Sequence, residues 1–83
     1  MTHRHYTKDE AFVLAIYEMA NSTGDPENPV DRYTAGDLAH LHPKAVDAIG
    51  KLLLRSNFIK KEDERLIYLT PRGLELVERL RLE

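Results

Sequence analysis

Lys44, Lys51 and Arg55 are separated by seven and then four residues. On a helix turning 100° per residue, that spacing puts the three cations within about 40° of one another. Ala48 falls between them and lets a backbone come close. Cations in such a stripe suit phosphate oxygens and purine edges, and a small residue suits the tightest point of contact. Lys60, Lys61 and Arg65 follow on the next segment, placed to grip adjacent phosphates. Acids oppose this reading: Asp47 lies at the stripe's edge, and Glu62, Asp63 and Glu64 would repel phosphate. Lysine and arginine also populate any solvated helix face, so the stripe alone is compatible with simple solubility.

Other chemistry finds less support. His3-x-His5 and His40-x-His42 have the only metal-like spacings. Alternating residues share a side only in extended backbone, and neither pair has a third strong ligand in view. Met1-Thr2-His3 would bind copper only adventitiously. Ser22 and Ser56 lack the glycine context of a nucleophile elbow. Glu62, Asp63 and Glu64 form a polar turn, not a desolvated acid pair. No glycine-rich phosphate loop is present. The expectation is a protein without a catalytic site, a metal or a cofactor.

With 83 residues the chain fits one domain, 1–83, whose stability margin is thin and which a partner subunit would help. A composition 42% hydrophobic and 31% charged argues against global disorder. No cysteine occurs, which removes disulfides and thiolate chemistry. No apolar run approaches the roughly 18 residues that span a bilayer. The N-terminus runs into polar sequence without the apolar stretch of a secretory signal, so the expected location is the cytoplasm. Net charge is −2, but it is uneven: −3 over residues 1–33, +1 over 34–70 and 0 over 71–83. The segment with the cation stripe is the least acidic.

The elements that must position these residues follow from periodicity and capping. Residues 1–6 read as a flexible leader. Thr7-Lys8-Asp9-Glu10 is a capping box that opens a helix running to about Asn21. Phe12, Ile16, Met19 and Ala20 share its inner face, with Val13 at the edge and Leu14 pointing away. Residues 23–33, with Gly24, Asp25, Pro26, Asn28 and Pro29, read as a loop that ends in a very short strand at Arg32-Tyr33. Thr34 and Asp37 are placed to cap a second helix, with Leu38, Ala39 and Leu41 on its buried side. A third helix is expected over about Pro43 to Ser56. Val46, Ile49, Gly50 and Leu53 face inward, Gly50 allowing close helix approach, and Asn57 takes the left-handed closing position. Phe58–Lys61 and Leu66–Leu69 then form a hairpin about a turn of Glu62 to Arg65. Thr70 caps a fourth helix that starts at Pro71 and carries Leu74, Val77 and Leu80. Leu14, Leu76 and Leu82 are candidates for a homodimer contact through helices 1 and 4.

Over about residues 34–75 the chain resembles the winged helix-turn-helix of bacterial MarR- and PadR-like transcription regulators. The resemblance rests on Leu38-Ala39, Val46, Ile49 and Leu53, then Asn57-Phe58-Ile59, a charged turn, and Leu69-Thr70-Pro71-Arg72-Gly73, its most specific piece. Asn57 stands where the family usually has glycine. Leu41-His42-Pro43 replaces its Leu-Gly-x-Ser turn and is one or two residues shorter. The resemblance implies a mainly α fold with a small β-hairpin, and a DNA-binding regulator of duplex DNA. Helix 3, through Lys44, Ala48, Lys51 and Arg55, would enter a major groove while Lys60, Lys61 and Arg65 of the wing hold the backbone. Such a fold also serves as a protein-interaction module or as a subunit of a larger assembly without touching DNA.

Overall fold

The computed structural model describes residues 6–82. The chain is mainly helical, with a small antiparallel sheet, in the order α1 (Lys8–Ser22), β1 (Val30–Asp31), α2 (Arg32–Leu38), α3 (Pro43–Arg55), β2 (Ile59–Lys61), β3 (Leu66–Leu69) and α4 (Pro71–Leu82). This layout is compatible with a winged helix. The expected leader falls almost wholly outside the described residues, as do His3 and His5. Tyr6 is described, and its hydroxyl lies 3.5 Å from the Leu80 carbonyl oxygen.

α1 is the central element. The Thr7 hydroxyl accepts from the Glu10 amide at 3.1 Å, and the Glu10 carboxylate accepts from the Thr7 amide at 2.9 Å. This capping box fixes the helix start and with it the rotation that buries Phe12, Val13 and Ile16. Those side chains meet Ala35 of α2, Val46 and Leu53 of α3, Ile59, Ile67 and Leu69 of the sheet, and Val77 of α4 in one core.

The segment before α2 departs from the sequence reading. Val30 and Asp31 form a third strand, paired antiparallel with β3 so that the sheet order is β1-β3-β2. Arg32 and Tyr33 are therefore helical, not a strand, and the loop of residues 23–33 ends early. Asp31, not Thr34, caps α2: its Oδ1 accepts from the Tyr33 amide at 2.8 Å and the Thr34 amide at 3.1 Å. The anionic cap wins because it also complements the helix dipole and, through Oδ2, the Arg65 guanidinium 2.9 Å away. The earlier start rotates α2. Ala35 and Gly36 become its buried face, and Leu38 is 54% exposed instead of inside.

α2 also ends earlier than expected, which lengthens the turn into α3. α2 ends at Leu38, and the turn spans Ala39 to His42, so the turn is not short. His40, with φ 61°, takes the left-handed position. Its amide donates to the Asp37 carbonyl at 3.0 Å and the Leu41 amide donates to the Gly36 carbonyl at 2.8 Å. α3 closes by the same device at Asn57, φ 64°, as expected. There the Asn57 and Phe58 amides donate to Leu54 and Leu53 carbonyls. Both are paired-bond helix ends in which glycine is the usual residue. Gly50 does not serve close approach, since a Cβ built on it meets nothing within 4 Å.

The Leu69-Thr70-Pro71-Arg72-Gly73 stretch has a clear physical task. It locks the exit of α3 to the start of α4. The Thr70 hydroxyl donates to the Asn57 carbonyl at 2.6 Å and accepts from the Gly73 amide at 3.1 Å. Arg72 Nε donates to the Ser56 carbonyl at 3.1 Å, its guanidinium lying 4.7 Å from the Phe58 ring centroid. Gly73 is packed so closely on the Phe58 carbonyl that a side chain there would collide with backbone.

Candidate nucleic-acid interface

α3 presents its faces as the sequence predicts. Val46, Ile49, Gly50 and Leu53 are buried, while Lys44, Ala48, Lys51 and Arg55 are exposed on the opposite side. Among the described residues, none of these three cations makes an ion pair. Pro43 at the helix start fixes the register: its ring suits the first turn, where its missing N–H needs no partner.

The wing residues divide. Lys60 and Lys61 are exposed on β2, paired in register with Tyr68 and Ile67. Successive strand residues project to opposite faces. Lys61 thus reaches the α3 side, where it lines a cleft of about 390 Å³ with Arg32, Tyr33, Asp47, Lys51, Leu54 and Glu64. Lys61 also pairs with Glu64 at 3.6 Å, an exposed contact of little strength. Arg65 is engaged although its side chain stays mostly exposed: its Nε donates to Asp31 and its guanidinium sits 5.2 Å from the Tyr33 ring centroid. It braces the wing against the start of α2 as much as it offers charge to solvent.

The wing turn has its own internal support. Asp63 Oδ1 accepts from the Arg65 amide at 2.8 Å and the Leu66 amide at 2.9 Å. Those backbone hydrogen bonds, from Leu66 and then Arg65, hold its carboxyl below the usual value. One of the three wing acids therefore builds the turn, and all three remain exposed.

Asp47 is the residue whose setting the sequence least reveals. The Tyr33 hydroxyl donates to its Oδ1 at 2.8 Å, and Arg32 Nη1 lies 3.7 Å from the same oxygen. The hydrogen bond to this carboxylate, with burial and the negative charge, raises the Tyr33 phenol above its ordinary value. Arg32 is mostly covered, and its Nε is buried without a hydrogen-bond partner among the described residues. Tyr33 and Arg32 are the site residues missed by sequence reasoning. The signal was the Asp31 cap, which turns both into the first helical residues of α2 and aims them at α3.

The residues expected at a dimer contact are not brought together. Leu14 lines a shallow apolar depression with Tyr6, Ala11 and Leu38. Leu76 lies in a second with Leu52 and Phe58, and Leu82 in a third with Tyr17 and Arg81. His40 and His42 do not join a metal cluster, since the described residues contain no group of three His, Asp or Glu able to hold an ion. No described helix is long and apolar enough to cross a membrane.

No protein-family model matches the sequence. No curated protein matches it significantly. No solved structure matches the fold significantly.

Proposed function

We propose that this protein is a cytoplasmic, winged helix-turn-helix regulator that binds duplex DNA through α3 and the β2–β3 wing. One observation carries the reading. Lys44, Lys51 and Arg55 stand exposed, and among the described residues free of ion pairs, on the face of α3 opposite Val46, Ile49 and Leu53, with Ala48 between them. In a major groove that face would set cations against phosphates and purine edges. Lys61, on the α3 side of the wing, would meet the neighbouring backbone, while Lys60 projects from the opposite face. Two acids that count against phosphate contact are partly answered: Asp47 by Arg32 and Tyr33, and Glu64 by Lys61. The apolar depressions on α1, α2 and α4 supply surface for a second copy. A pair on one duplex would leave half-site footprints about one helical turn apart.

Fluorescence anisotropy with mixed genomic duplexes at about 50 mM salt tests the reading, since phosphate contacts weaken steeply with salt. Binding is expected, and Lys51→Glu combined with Arg55→Glu should abolish it. Binding that survives the double variant removes α3 as the reader. A second reading, a protein-interaction module, is favoured by the acidic wing tip and by Leu38 and Leu52, 54% and 46% exposed. It predicts no duplex binding at that salt and a protein partner whose capture is lost in Leu38→Asp.

A further inference from the structure

The groove-facing side of α3 holds one residue that DNA binding alone does not explain. A carboxylate among phosphates is a cost wherever it has no partner, yet Asp47 sits between Lys44 and Lys51, one turn from each. It is not simply a salt-bridge residue. Neither lysine pairs with it, and its side chain is 54% exposed.

Its two oxygens are treated differently. Oδ1 receives the Tyr33 hydroxyl at 2.8 Å and faces Arg32 at 3.7 Å. Oδ2 has no hydrogen-bond or ion-pair partner among the described residues. The Tyr33 bond and the rigid helix hold the carboxylate in one orientation, so a ligand need not order it. Tyr33 is itself fixed, as the second residue of α2 and under the Arg65 guanidinium. The result is a preorganised acceptor on the solvent side of a helix.

Position adds to this. Asp47 is the fifth residue of α3, in the N-terminal half that enters deepest when a recognition helix lies in a major groove. Ala48, next to it, offers no bulk to hold the helix away. Two bases offer a donor in that groove, cytosine through its N4 amino group and adenine through its N6 amino group; the acceptor N7 beside the adenine amine repels a carboxylate, which leaves cytosine as the favoured partner.

We propose that Asp47 is a specificity determinant that selects cytosine by accepting its N4–H through Oδ2, with Tyr33 as its positioning residue. This rests on α3 being the DNA-reading helix. Lys51 and Arg55 then supply attraction to phosphates and purine edges, and Asp47 penalises sites that offer no donor.

The test is selection from a random duplex pool by the full chain, followed by anisotropy on duplexes changed one base pair at a time. The selected site should contain one position where C·G is preferred at least about fivefold over the other pairs. Asp47→Ala should bind as tightly or more tightly, while its preference at that position falls within about twofold. Asp47→Asn keeps an acceptor for Tyr33 but puts a donor-only NH2 where Oδ2 stood, and should abolish the cytosine preference there in favour of bases that present acceptors. Tyr33→Phe should weaken the preference without moving it. Equal loss at every position in Asp47→Ala and Asp47→Asn overturns the proposal, since it would mark a structural role. So does an intact cytosine preference in both variants. In either case binding that still depends on Lys51 and Arg55 leaves the DNA reading standing, whereas a wild-type chain that selects no duplex ends both.

Discussion

Gly50→Ala is expected to stabilise the protein and Gly36→Ala to destabilise it, although both glycines are buried and helical. Alanine is favoured over glycine in a helix by about 0.8–1.0 kcal/mol. At Gly50 nothing lies within 4 Å of the added Cβ, so that gain stands, and the melting temperature should rise by about 4–8 °C. At Gly36 the added Cβ would overlap Cγ2 of Val46, with Val46 Cβ at 3.6 Å and the Leu41 carbonyl oxygen at 3.7 Å. Val46 is 1% exposed and, being β-branched in a helix, has one good rotamer. It cannot swing aside, so α2 and α3 must part. Overpacking of this kind costs about 1–3 kcal/mol, which exceeds or cancels the propensity gain. The two variants should therefore differ by about 1–3 kcal/mol, read from urea unfolding at equal m-values. Gly36→Ala as stable as Gly50→Ala would refute the packing of α2 on α3 described above, and with it the placement of Tyr33 against Asp47.

His40→Gly should raise stability by about 0.5–1 kcal/mol in a thermal melt, because the exposed imidazole gives up a left-handed backbone that glycine adopts freely. A loss instead would mean that the side chain holds the turn. Burial pushes the Asp31 carboxyl up, but hydrogen bonds from the Arg65 side chain and from the Thr34 and Tyr33 amides outweigh it and leave the group lowered. A lowered carboxyl contributes stability that is whole above its unfolded value and is lost as pH falls through the folded one. Wild type should therefore lose stability more steeply below about pH 4 than Asp31→Asn, which keeps a cap but has no charge to lose. Parallel acid limbs in denaturant titrations would contradict this.

What the sequence makes legible here is what depends on neighbours in the chain. The Thr7–Glu10 box, the inward Val46, Ile49 and Leu53, the Asn57 helix end and the exposed stripe of Lys44, Lys51 and Arg55 are local patterns with a fixed period, and they stand where the spacing puts them. The errors gather between Val30 and His42, where two local signals compete. Thr34 and Asp31 are both good caps, and only the pairing of Val30 with Ile67 and the approach of Arg65 decide between them. Ile67 and Arg65 lie more than thirty residues away, so no window of sequence contains the decision. Once Asp31 prevails, α2 begins earlier and Leu38 rotates outward, while the helix also ends earlier, closed at His40, and the turn lengthens. The same shift delivers Arg32 and Tyr33 to Asp47, so the long-range contact that hid the helix start also hid the residues that turn an acid on α3 from an obstacle into an oriented acceptor.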